Sequence, residues 1–113
     1  MNKTSQENAS VKHIDCSGEF STNKILQELS LGDSLLDFKN TKFSLVKFEH
    51  LNTFAKKLSE DQNLIGARIA LYCPSELQIG IGRVMQTLVK NRETRLQLRC
   101  FRNSFHARNW LNE

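Results

Sequence analysis

Apolar positions recur along this chain in two rhythms, and each switch between them marks a predicted element. Residues 11 to 16, VKHIDC, give a short strand signal, and Ser17-Gly18 supplies the turn after it. From Ser21 the spacing becomes helical. Ile25, Leu26 and Leu29 share one face, with Ser21 or Thr22 as N-cap and Gly32 as the stop. SLLDFK, residues 34 to 39, reads as a second strand. Ser44 then caps a second predicted helix, in which Phe48, Leu51, Ala55 and Leu58 form one stripe that Leu45 and Phe54 widen.

ARIALYC, residues 67 to 73, is apolar almost without a break, which suits a strand covered on both faces and makes it the predicted central strand. Ile81, Val84, Met85, Leu88 and Val89 return to helical spacing. In TRLQLRCF, residues 94 to 101, Leu96, Leu98 and Cys100 point one way while Arg95, Gln97 and Arg99 point the other. One face of that strand is near solvent, which places it at or near a sheet edge. Asn103 or Ser104 caps a last helix with Ala107, Trp110 and Leu111 on its inner face. The order βαβαβαβα predicts an α/β fold, a mostly parallel four- or five-stranded sheet with about four helices packed against it. Residues 1 to 10 lack periodicity and are expected to be a disordered tail before a single domain at 11 to 113.

Composition narrows the class. With 113 residues, 39% hydrophobic and 25% charged, the chain has room for one core and is unlike a disordered protein. No apolar run approaches the roughly 18 residues that span a bilayer, and the start MNKTSQENAS is polar, so the expectation is a cytoplasmic protein without membrane insertion. The net charge of +4 is unevenly spread: from Arg83 onward seven bases face two acids. Such asymmetry permits an acidic partner through long-range attraction. Cys16, Cys73 and Cys100 form no closely spaced pair, so buried free thiols are expected, without a zinc site or any other cofactor.

The stretch LYCPSELQIGIGRVMQTL, residues 71 to 88, holds the candidate chemistry. A dinucleotide fingerprint fails because Met85 occupies the third glycine position, and no P-loop run occurs. Ser75 and Gln78 match a capping box. Gly80 and Gly82 just inside the helix cost about 1 kcal/mol each relative to alanine, which close helix packing or close approach of a ligand would offset. A helix N-terminus beyond a central strand, with Arg83 one turn in, makes Ser75, Gly80, Gly82 and Arg83 the candidate site for an anionic ligand or an acidic partner.

Catalytic sets are absent from the pattern, and no enzyme is expected. His13, His50 and His106 are scattered among polar neighbours, and Cys73, next to a helix N-terminus that could lower its pKa, lacks an adjacent base. The basic C-terminal third carries Phe101, Phe105, His106 and Trp110, a mixture that can bind single strands, but nucleic acid ranks only third as a partner.

IALYCPSELQIGIGRVMQTL followed by LQLRCFRNSFHARNWL resembles the C-terminal half of small bacterial STAS-like proteins, relatives of anti-sigma-factor antagonists. Gly80, Gly82, Arg83, Phe101, Arg102, Ala107, Trp110 and Leu111 carry the likeness, and GEFSTNKI and SLLDFKNTKFS extend it over residues 11 to 112. The resemblance implies a sheet of four or five strands with helices against it, a fold related to CRAL-TRIO lipid-binding domains. It further implies a non-enzymatic interaction or regulatory role, with an unknown protein partner first and a small anionic or apolar ligand second. Anti-sigma antagonists carry a phosphorylatable serine where the second helix starts. Here NTKFSLVKF stands in that place, making Ser44 the nearest candidate phosphosite, without the family's acidic and glycine neighbours.

Overall fold

The structure, a computed structural model, describes residues 11 to 29 and 31 to 113, so the tail expected at residues 1 to 10 lies outside the described residues. Its elements run β1 (Lys12–Asp15), β2 (Gly18–Glu19), α1 (Thr22–Glu28), β3 (Ser34–Asp37), β4 (Thr41–Lys42), α2 (Phe48–Glu60), a 3-10 turn (Gln62–Leu64), β5 (Arg68–Tyr72), α3 (Glu76–Lys90), β6 (Gln97–Phe101) and α4 (Ser104–Leu111). The main sheet is four-stranded in the order β1-β3-β5-β6, and every pairing in it is parallel. The α/β class expected from the sequence is the one observed.

Alternation along the strands sorts the core into two layers. Ile14, Leu36, Ile69, Leu71 and Leu98 point to one face, where Ile25 of α1, Leu51, Phe54, Ala55 and Leu58 of α2, and Ile79, Met85 and Val89 of α3 bury against them. Leu35 and Ala70 point to the other, under Ala107, Trp110 and Leu111 of α4. Residues 69 to 71 of β5 are fully buried because β5 has a strand on each side and helices on both faces. β6 is an edge strand, and its exposed Gln97 and Arg99 alternate with buried Leu98, as its spacing predicts.

A second, two-stranded parallel sheet pairs β2 with β4 and was not expected from the sequence. It continues the chain beyond the carboxyl ends of β1 and β3, fastened by the Thr41 hydroxyl donating to the Cys16 carbonyl at 2.6 Å. Gly18 enables the turn into it, at φ +93°. This lip gathers four aromatic rings: Phe20 stacks on Phe43 at 5.5 Å and meets Phe54 edge-on at 5.4 Å, while Phe38 stands edge-on to Phe43.

The start of α2 departs from expectation. Ser44 is not its N-cap; the helix begins at Phe48 with Lys47 in the cap position, and the His50 ring accepts from the Lys47 amide at 2.9 Å. Phe48, in the first turn, and Leu45, ahead of the helix, therefore fall outside the buried stripe and are 64% and 74% exposed. Gly32 likewise does not stop α1. That helix closes at Leu29, and Gly32 takes φ +95° in the link to β3.

The two helical glycines of α3 differ in kind. Gly82 faces the sheet, where an added Cβ would lie 3.0 Å from both the Cys100 Cβ and the Cys73 Sγ. Gly80 faces outward, with nothing within 4 Å of such an atom. Gly82→Ala should therefore destabilise by about 1 to 3 kcal/mol through overpacking, whereas Gly80→Ala should stabilise by up to about 1 kcal/mol through helix propensity. Urea midpoints at unchanged m-value measure both; equal shifts in one direction would contradict this orientation of α3.

Gln78 fastens the head of the same helix. Its side-chain oxygen accepts from the Ser75 amide, the Ser75 hydroxyl accepts from the Gln78 amide, and its Nε2 donates to the carbonyls of Phe38 at 2.6 Å and Lys39 at 3.2 Å. One buried amide thus completes a capping box and ties α3 to the turn after β3. Gln78→Ala should cost about 2 kcal/mol in chemical denaturation by leaving these groups unpaired, and a cost no larger than that of an exposed substitution would refute the tie.

Candidate functional site

The sequence-predicted residues separate once placed in the fold. Ser75 is committed to capping α3, and Gly82 to packing the helix onto two cysteine side chains. Gly80 and Arg83 remain on the surface. The space beside Gly82 is filled by the Cys73 sulfur and the Cys100 Cβ, not left open to a ligand. Ser44 is exposed in the turn before α2, its hydroxyl donating to the Glu19 carboxylate at 3.2 Å.

What Gly80 and Arg83 do share is the outward side of α3. At 100° per residue, Leu77, Gly80, Ile81, Val84, Thr87 and Leu88 occupy a continuous arc; Leu77, Gly80, Val84 and Thr87 are exposed, whereas Ile81 and Leu88 adjoin the buried face and pack against the core. None of the six carries a charge. The charged residues of α3, Glu76, Arg83 and Lys90, follow each other along the adjoining solvent-facing flank. Leu77 is 66% and Val84 36% exposed; Ile81 and Leu88 are half-buried.

Phe48 extends this arc. It lines a shallow depression of about 290 Å³ with Arg83, Val84, Thr87 and Leu88, so the first turn of α2 and the middle of α3 form one apolar strip. The helical period alone would have identified the arc on α3. The contribution of Phe48 was masked by its place in register with Leu51 and Ala55, which are buried.

The remaining chemistry serves structure. All three cysteines are free. The helix N-terminus near Cys73 does not lower its pKa: burial pushes the thiol up to about 12, and Cys16, also buried, to about 12 as well. Cys100 is raised by burial too, against the opposing pull of Arg83 and Arg99. Arg108 donates to His13 Nδ1 at 3.1 Å, which leaves His13 Nε2 to donate to the buried Asp37 carboxylate at 3.2 Å, a chain that ties α4 to β1 and β3. Trp110, packed against Phe101 at 5.7 Å and under the Arg68 guanidinium at 5.4 Å, belongs to the second core layer. Among the described residues no three or more His, Cys, Asp or Glu side chains form a metal-holding group, and no helix is long and apolar enough to cross a membrane.

No protein-family model, curated protein or solved structure matches the chain. The site is therefore read from its own geometry.

The raised thiols carry a sign. A cysteine whose folded pKa lies near 12 keeps its proton where an unfolded thiol, near 8.5, has lost it. Stability is fully present below the unfolded value and falls as pH rises from about 9 toward 12, by at most about 1.4 kcal/mol per thiol per pH unit. The alkaline slope should flatten in a Cys16→Ala/Cys73→Ala variant, and a thiol-specific disulfide reagent should label both residues only as fast as the protein opens. Labelling of native Cys73 at the rate of free cysteine would overturn its burial.

Proposed function

We propose that this chain is a non-enzymatic protein-docking module of STAS-like type, working in the cytoplasm, and that its docking surface is the strip formed by Phe48 with Leu77, Ile81, Val84 and Leu88. One observation carries the reading: exposed Leu77 and Val84 stand with half-buried Ile81 and Leu88 in an uncharged strip along α3, beside the flank that holds its charges, and the strip continues into an exposed phenylalanine of the neighbouring helix. Exposed apolar residues are ordinary when single, whereas a contiguous strip with charge confined to its border marks a surface that is covered in use. The border of the strip carries both signs, Arg83 with Glu76 on α3 and Lys47 with Glu49 beside Phe48, so the matching partner has an apolar centre and a rim of mixed charge.

Ser44 stands close to this surface in the chain. A phosphate there would face the Glu19 carboxylate that now accepts its hydroxyl, breaking that hydrogen bond by like-charge repulsion. The basic residues around β6 support nucleic acid less well, because Trp110 and Phe101, the aromatic platforms such binding needs, are spent in the second core layer.

The test compares two surface variants. Phe48→Glu/Val84→Glu changes exposed positions and should leave stability within about 0.5 kcal/mol; Phe105→Glu alters an exposed phenylalanine on α4, away from the strip. Proteins crosslinked to the native chain in its own cell should be lost at least about tenfold from the strip variant and kept by the α4 variant. Equal retention by both would remove the strip as the docking surface. Concentration-dependent dimerisation abolished by the strip variant would instead identify the occupant as a second copy.

A further inference from the structure

The flank of α2 turned away from α3 holds a different feature. His50, Thr53 and Lys57 recur at helical spacing along it, with Val46 one turn before, and they form one wall of a cleft of about 400 Å³. Phe20 forms an apolar floor, exposed Leu45 stands at the rim, and Glu19 lies on the opposite wall. The volume lies within the range of small-molecule sites, which typically combine apolar linings with a few converging polar groups.

We infer that this cleft binds a small organic carboxylate with an aromatic or branched apolar body. The floor is preorganised, since Phe20 is held by stacking on Phe43 and by edge contact with Phe54 and Phe38. Donors line one wall, spaced over about two turns of α2. His50 Nδ1 accepts from the Lys47 amide, so the neutral ring carries its proton on Nε2, the nitrogen left for the cleft. The Lys57 ammonium forms no ion pair among the described residues, and Thr53 adds a hydroxyl between the two. A carboxylate placed there gains charge-assisted hydrogen bonds.

The opposite wall sets direction and charge. Glu19, engaged by the Ser44 hydroxyl, repels an anionic head and directs it toward Lys57, leaving the apolar body over Phe20. A single carboxylate matches one ammonium. A phosphate dianion would bring a second charge with no second cation and would meet the Glu19 field. This cleft is separate from the strip assigned to docking, because α2 divides them: Phe48 faces α3, whereas His50, Thr53 and Lys57 face α1.

The experiment titrates the full chain with 3-phenylpropionate, its neutral amide and phenyl phosphate, following backbone amide signals. Saturable shifts with 3-phenylpropionate are expected at residues 19 to 23, 45 to 46, 50, 53 and 57, with the amide and the phosphate at least about tenfold weaker. Lys57→Met keeps the side-chain stem and removes the charge, and should cost about tenfold in affinity with no change in fold. Phe48→Glu/Val84→Glu should bind the probe as the native chain does, so failure of this site and failure of the docking strip are read separately. Absence of saturation at millimolar probe, shifts centred elsewhere, or undiminished binding by Lys57→Met would each overturn the assignment.

Discussion

The handedness of the crossovers governs this molecule. Main-sheet strands follow one another in space as they do in sequence, β1-β3-β5-β6, and all run parallel. A right-handed connection between successive parallel strands places its helix on the same face each time the order advances. α1, α2 and α3 must therefore share one face, and only the element after the last strand is free to cover the other. That is the observed division: three helices over Ile14, Leu36, Leu71 and Leu98, and α4 alone over Leu35 and Ala70.

Crowding three helices onto one face explains the close contacts within it. α3 has to approach the sheet closely, and it does so where Gly82 lacks a side chain above Cys73 and Cys100. The same crowding makes α2 the middle helix, with its core stripe against the sheet and a neighbour on each side. Its two flanks then become different surfaces, one continuous with α3 and one opposing the β2-β4 lip. Neither surface needs a special loop or insertion. Both follow from a helix whose buried stripe occupies only part of its circumference.

Much of this was legible from spacing alone. The strands at 34 to 37, 68 to 72 and 97 to 101, the capping box at Ser75, the Asn103 cap and the inner face of α4 all depend on neighbours close in sequence. Features that depend on distant segments were not legible. The β2-β4 pairing joins residues whose local pattern is merely turn-like, and the cleft over Phe20 exists only because that pairing brings residues 19 to 23 beside α2. Gly80 and Gly82 look alike as a pair. They are distinguished only by phase: Gly82 stands in register with Gln78, Met85 and Val89, Gly80 opposite them. Phe48 misled for the converse reason, because correct spacing one turn before a buried stripe does not guarantee that the core extends beneath it.

At one edge of the sheet, β6, the backbone is guarded in a way that the apolar strip on α3 is not. Along β6 the amides of Gln97 and Arg99 turn inward to β5, so those of Leu96, Leu98 and Cys100 point outward, where an added strand could pair. Two of these three are occupied by side chains, Leu96 by the Thr94 hydroxyl at 3.3 Å and Cys100 by the Gln86 amide oxygen at 3.1 Å, and Arg95 and Arg99 add charge beside them. Strand addition at the β6 edge is thus obstructed by side chains from α3, from the loop before β6 and from β6 itself. On α3, within the same helix that contributes Gln86, the strip through Leu77 and Val84 carries no charge of its own and adjoins the flank that holds Glu76, Arg83 and Lys90. Charge and side-chain acceptors oppose pairing along β6, while the neighbouring strip on α3 leaves apolar side chains open to contact.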